Sequence, residues 1–82
     1  MKLSIYSLKN VLFQGQAVLL NCKTITGEIT VLDNHEPLIT VLSKCTIKVG
    51  VEKDSGKDQY FEIKSGFLEL KPGNEARCIV EQ

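Results

Sequence analysis

Apolar and polar residues alternate with a period of two over most of this chain. Cys45, Ile47, Val49 and Val51 fall on one side of an extended segment, with Thr46, Lys48, Gly50 and Glu52 on the other. That is the pattern of a strand with one buried face. Phe61 and Ile63 alternate with Glu62 and Lys64 in the same way. Leu68 and Leu70 alternate with Phe67, Glu69 and Lys71. Ala76, Cys78 and Val80 alternate with Arg77, Ile79 and Glu81, and Leu3 and Ile5 with Lys2 and Ser4. No segment shows a sustained 3.6-residue apolar stripe with a cap at each end, so no helix is expected.

Turn chemistry separates these runs. Lys9-Asn10 ends the first one, and Gly15 marks a bend or bulge. The polar segment from Lys53 to Asp58 is expected to be a hairpin loop. In Pro72-Gly73-Asn74 a residue of fixed φ precedes a permissive one, which predicts a tight turn. The pattern predicts eight to ten short strands at close spacing, and hence an all-β sandwich or barrel. Two runs depart from the alternation. Ala17-Val18-Leu19-Leu20 and Leu38-Ile39-Thr40-Val41-Leu42 are apolar on both faces. In a sandwich only one face of each sheet looks into the core. The second face of these runs is therefore either enclosed by neighbouring strands or covered by a partner.

With 82 residues, the chain makes one domain, 1–82, with no internal repeat, linker or low-complexity segment. A chain of this size buries only about 60% of the surface its unfolded form exposes, which leaves little room for an enclosed substrate cavity. Ten basic residues offset ten acidic ones. That balance, with the aromatic residues scattered rather than set in a basic groove, argues against a nucleic-acid partner. No 18-residue apolar run is present to insert into a membrane. The N-terminus lacks the continuous apolar core of a signal peptide.

The chemical inventory is sparse. Cys22, Cys45 and Cys78 are widely spaced, with no Cys-x-x-Cys pair. They read as small buried hydrophobes in a reducing compartment. The single histidine, His35, has Glu28, Asp33 and Glu36 near it in sequence, but the spacing matches no strong metal-ligand motif. No glycine-rich phosphate loop can be built from the isolated glycines. No catalytic residues, metal, cofactor or small-molecule substrate are expected. The balance favours a binding or structural role over an enzyme.

Three stretches resemble a known family. The run from Gly27 to Leu42, with Gly27-Glu28, His35 and Pro37-Leu38-Ile39-Thr40, is similar to the signature loop and strand of the F-type ATP synthase epsilon subunits. Ser65-Gly66-Phe67-Leu68-Glu69-Leu70 followed by Pro72-Gly73-Asn74 resembles a second family strand and its turn. Asn10-Val11-Leu12-Phe13-Gln14-Gly15-Gln16-Ala17-Val18 resembles a third segment. The three occur in family order.

The resemblance implies a flattened β-sandwich of about ten strands at the foot of a rotary central stalk. It would pack on the gamma subunit and rest on the polar loops of the membrane c-ring, with no catalytic part in the proton-driven synthesis of ATP. Glu28, Asp33 and Glu36 would face the ring, while His35 and Thr40 would face gamma. The expected location is peripheral, on the cytoplasmic face of the bacterial plasma membrane or its organellar equivalent. The sequence departs from the family pattern at Thr30, where a second glycine is common, at Asp33 for proline, at Glu36 for alanine and at Cys45 for glycine. Most members continue into a C-terminal helical hairpin that can restrain hydrolysis. A chain whose natural end is Gln82 would couple rotation without that inhibition. The alternative is a stand-alone β-sandwich interaction module of another complex, using the outer faces of residues 17–20 and 38–42.

Overall fold

The structure, a computed structural model, describes residues 1–51 and 57–82. Most of the hairpin loop expected over Lys53–Asp58, and the outward placing of Glu52, lie outside the described residues. Nine strands are present among those described. They are β1 (Lys2–Tyr6), β2 (Val11–Gln16), β3 (Leu19–Thr24), β4 (Gly27–Leu32), β5 (Leu38–Leu42), β6 (Cys45–Gly50), β7 (Gln59–Ile63), β8 (Ser65–Lys71) and β9 (Glu75–Glu81). Each alternating run of the sequence becomes a strand, and the side it reserves for apolar residues is the side that is buried.

The hydrogen-bonded order is β2-β1-β9-β8-β5-β3-β6-β7, with β4 on the other edge of β3. Every pair is antiparallel except β1 and β9, the first and last strands, which run parallel. The link between β5 and β3 is a single bridge, Thr24 with Leu42. Five strands (β2-β1-β9-β8-β5) therefore form one sheet, and four (β4-β3-β6-β7) fold over it. The sandwich expected from sequence is present, and the corner bridge makes it barrel-like, with extents of 27 × 26 × 23 Å.

Leu3, Ile5, Leu68, Cys78 and Val80 from the first sheet meet Leu20, Cys22, Ile47, Val49 and Ile63 from the second, all buried. Burying a side chain the size of Leu or Ile contributes about 1.5–3 kcal/mol, and this interior is the main source of stability. At one open side, Phe13 of β2 meets Phe61 of β7 edge-on, with ring centroids 6.5 Å apart. That pair joins the outermost strands of the two sheets, in a geometry aromatic rings favour.

Thr24 is the one buried polar residue among those described, and it satisfies itself locally. Its hydroxyl donates to the Gly27 carbonyl at 2.9 Å and accepts from the Thr26 N–H at 3.1 Å. A buried hydroxyl without such bonds would be destabilising. Here it closes the β3–β4 turn instead, next to Gly27 at φ +131°.

The two runs that are apolar on both faces resolve differently. Ala17 and Leu20 are buried, Val18 and Leu19 half-buried, and the Val18 N–H donates to the Gly50 carbonyl at 2.7 Å. Neighbouring strands enclose that run. In β5 only Leu42 is buried, while Ile39 and Val41 are exposed.

Candidate interaction surface

The outer face of the five-stranded sheet carries an apolar row. Val41 lies opposite Phe67, Phe67 opposite Ile79, Ile79 opposite Tyr6, and Tyr6 opposite Val11. The last step spans a register shift between Ile5 and Tyr6, which aims Val11 outward. Phe67 keeps 59% of its surface exposed, and Val11, Val41 and Ile79 are exposed as well. Ile39, 71% exposed, flanks the row, and Ile25 adjoins it through an N–H bond to the Val41 carbonyl at 3.1 Å. Leu8 stands 93% exposed at the tip of the β1–β2 turn. An exposed apolar strip of this kind is a candidate docking surface.

Charged and polar residues border the strip. The next row runs Gln14, Ser4, Arg77, Glu69 and then Ile39. Arg77 Nη2 donates to Glu69 Oε1 at 2.7 Å. Beyond it lie Lys2, Glu75 and Lys71, with Lys2 Nζ 3.9 Å from Glu75. An apolar strip with a polar rim is the usual anatomy of a protein interface.

The outer face of the other sheet is different. Its register rows read Thr30, Asn21, Lys48 and Tyr60, then Glu28 with Lys23, and Thr46 with Glu62. Asn21 Nδ2 donates to the Thr30 hydroxyl at 2.9 Å, and Lys48 Nζ lies 3.5 Å from Asp58. One further row, Leu32, Leu19 and Gly50, is apolar, and Leu32 and Tyr60 are exposed, but the rest of this face is polar and carries no apolar row as long as that of the first sheet.

The β4–β5 loop brings Asp33, His35 and Glu36 together at one end of the sandwich. The Asp33 carboxylate accepts from the Met1 ammonium and, at 3.4 Å, from Asn74 Nδ2. The ammonium bond, then the Asn74 bond, hold the Asp33 carboxyl below the usual carboxylate range. Glu36 is exposed. His35 is half-buried in a groove with Ile29, Pro37, Leu38 and Leu70, and both of its ring nitrogens are shielded without a hydrogen-bond partner.

Glu28 does not join this cluster. It is exposed at the other end of β4, five residues of extended chain from Asp33, or roughly 17 Å, and lies opposite Lys23. Thr40 lies opposite buried Leu68, so its side chain takes the inward side of β5. Its neighbours Ile39 and Val41 are the residues β5 presents outward. Sequence reasoning missed the row of Val11, Tyr6, Phe67 and Ile79. The signal was available, because the outward positions of β8 and β9 include Phe67 and Ile79 where a solvated strand would carry polar residues.

Among the described residues no group of three His, Cys, Asp or Glu side chains is placed to hold a metal ion. Burial pushes the Cys22 and Cys78 thiols up to about 12, with the neighbouring thiols adding to the effect. Both stay protonated and unreactive at neutral pH. No helix among the described residues is long and apolar enough to cross a membrane.

The fold is an all-β sandwich with an apolar strip across one outer face. The chain belongs to the family of the ATP synthase delta/epsilon chain β-sandwich domain, whose model matches residues 1–81. It is 32% identical over 72 residues to the ATP synthase epsilon chain of Acinetobacter baylyi, a match that spans 88% of this chain and 50% of that one. The chain thus covers about half the length of this relative.

Among solved structures, the fold is similar to a chain of the Euglena gracilis mitochondrial ATP synthase (the OSCP/F1/c-ring portion in rotational state 1). The TM-score is 0.89 at 19% identity, over all of this chain and 51% of that one. It is also similar to a chain of the Tetrahymena thermophila mitochondrial ATP synthase central stalk and c-ring. There the TM-score is 0.83 at 12% identity, over all of this chain and 63% of that one. At these identities the likeness is one of fold.

Proposed function

We propose that this chain is a non-catalytic rotor subunit of the central stalk of an F-type ATP synthase, docking on gamma through the outer face of the β2-β1-β9-β8-β5 sheet. The observation that carries the reading is the apolar row from Val11 to Val41, set in register across five strands in a member of the delta/epsilon family. Torque transmission needs a stiff body and contacts that do not slip. Dense interior packing transmits strain, and the near-closed sheet limits shear.

The β4–β5 loop is the part that would meet the polar loops of the c-ring. Glu36 is its free carboxylate, while Asp33 is already engaged within the chain and would contribute mainly by shaping the loop. Glu28 would make a separate contact from the far end of β4. Exposed ion pairs of this kind contribute about 0–1 kcal/mol each, so they would set register and encounter more than affinity. Both ring nitrogens of His35 are shielded in the groove, so it would act toward gamma by shaping the loop and not by a direct bond. Thr40 would act toward gamma through the placing of Ile39 and Val41. The complex would hold the protein peripherally at the bacterial plasma membrane, on its cytoplasmic face, or at the organellar equivalent.

Co-expression with gamma and the c-ring tests this. The tagged chain is expected to recover gamma, and Glu36→Lys to reduce ring retention while leaving gamma bound. Recovery of the chain without gamma from cells making both subunits would reject the stalk assignment.

A further inference from the structure

The Pro72-Gly73-Asn74 turn has no part in either docking face, yet it touches the loop that would meet the ring. Asn34 and Asn74 are the two non-glycine residues with positive φ among those described, at +61° and +59°. Such a backbone is strained for most L-residues, is tolerated best by asparagine, and persists where surrounding bonds over-determine it. Here the two residues bond to each other although 40 positions apart. The Asn34 N–H donates to Asn74 Oδ1 at 2.8 Å, and Asn74 Nδ2 donates to Asp33 Oδ1 at 3.4 Å. The Asn74 carbonyl accepts the Lys2 N–H at 2.9 Å, which fixes Asn74 to β1.

We infer that Asn74 is a positioning residue for the β4–β5 loop, directing Glu36 toward the ring by holding Asn34 and Asp33 from the β8–β9 turn. The inference rests on the proposed ring-facing role of that loop. The physical reason is geometric. The loop leaves β4 at Leu32 and must turn back into β5 within five residues. One amide at its left-handed residue and one carboxylate beside it are tied to the same side chain. Because that side chain is itself anchored to β1, the loop is referenced to the rigid sheet rather than to solvent.

Two variants separate positioning from stability. Asn74→Gly keeps the left-handed turn and removes the side chain. Asn74→Asp keeps an acceptor for the Asn34 N–H but puts a second carboxylate beside Asp33. In the full chain, amide exchange of Asn34 is expected to quicken about tenfold in Asn74→Gly, the scale of one lost hydrogen bond. Leu68 and Cys78 amides should keep their rates, and Asn74→Asp should retain Asn34 protection. In the assembled complex with gamma and the c-ring, Asn74→Gly should weaken ring retention as Glu36→Lys does.

Unchanged Asn34 exchange overturns the inference. So does a matching acceleration at Leu68 and Cys78, which would make the effect one of global stability. If Glu36→Lys releases the ring and Asn74→Gly does not, the positioning role falls while the ring-facing loop stands. If neither releases it, the ring-facing reading itself is wrong, and the positioning role falls with it.

Discussion

Gly66 of β8 lies so close to Ile79 of β9 that a side-chain carbon built on Gly66 would sit 2.6 Å from the Ile79 carbonyl oxygen and 3.0 Å from the Val80 α-carbon. Both obstacles are backbone or tightly packed, so neither can swing away. Beside this close approach, Phe67 and Ile79 lie opposite each other on the outer face, at the centre of the apolar row. The glycine is thus required by the spacing of two strands and not by a turn.

Replacing Gly66 with alanine is expected to destabilise the domain by about 1–3 kcal/mol, the usual range for overpacking. Gly73→Ala offers a contrast. Nothing lies within 4 Å of its would-be side chain, and only the φ of +82° opposes it, at about 1–2 kcal/mol for a left-handed backbone. Urea denaturation of both variants measures the difference. A Gly66→Ala midpoint equal to wild type would mean the two strands can part at no cost.

Phe67 and Tyr60 form a matched pair for the docking face. Their exposures are similar, 59% and 61%, but Phe67 is on the apolar face and Tyr60 on the polar one. Neither supports the core, so serine at either position should leave the urea midpoint nearly unchanged. Phe67→Ser is expected to weaken gamma binding by tenfold or more, about 1.4 kcal/mol or above, as expected for an aromatic anchor near the centre of an interface. Tyr60→Ser should bind as wild type does. Titration calorimetry with purified gamma reads both, and equal losses would move the interface off the proposed face.

Asp33 gives a pH signature. Its carboxyl is held below the usual range by the Met1 ammonium and by Asn74. A carboxyl with a depressed folded pKa adds stability above its unfolded value, near about 3.9, and loses it as pH falls through the folded value. The stability gap between wild type and Asp33→Asn should therefore be flat from about pH 7 to pH 5, narrow below about pH 4, and close once both states are protonated. Urea midpoints across that range measure it. A gap that widens toward acid would contradict the assignment of the bond partners.

The loop around Asp33 shows how local sequence and tertiary contacts divide the work. At Asn34 the backbone is left-handed, at φ +61°. The resemblance marks proline at the place of Asp33, where this chain has a carboxylate that meets Met1 instead. Nothing in the residues from Gly27 to Leu42 announces that their loop will be tied to Asn74 or to the chain's first residue.

By itself, the sequence determined the alternating strands β1, β6, β7, β8 and β9 and their inward sides, because period-two alternation is a local property of the chain. It left the inward sides of the runs 17–20 and 38–42 open. It also determined the tight turn at Pro72-Gly73-Asn74, where local φ preferences suffice. The family was legible in three short motifs. What only the tertiary structure decided is which strands became neighbours. The parallel meeting of β1 with β9 and the pairing of β8 with β5 and β9 align Val41, Phe67, Ile79, Tyr6 and Val11 into one apolar row. Those five residues come from five strands spread between positions 6 and 79. Strand pairing depends on the packing of the whole interior, and no local pattern carries it.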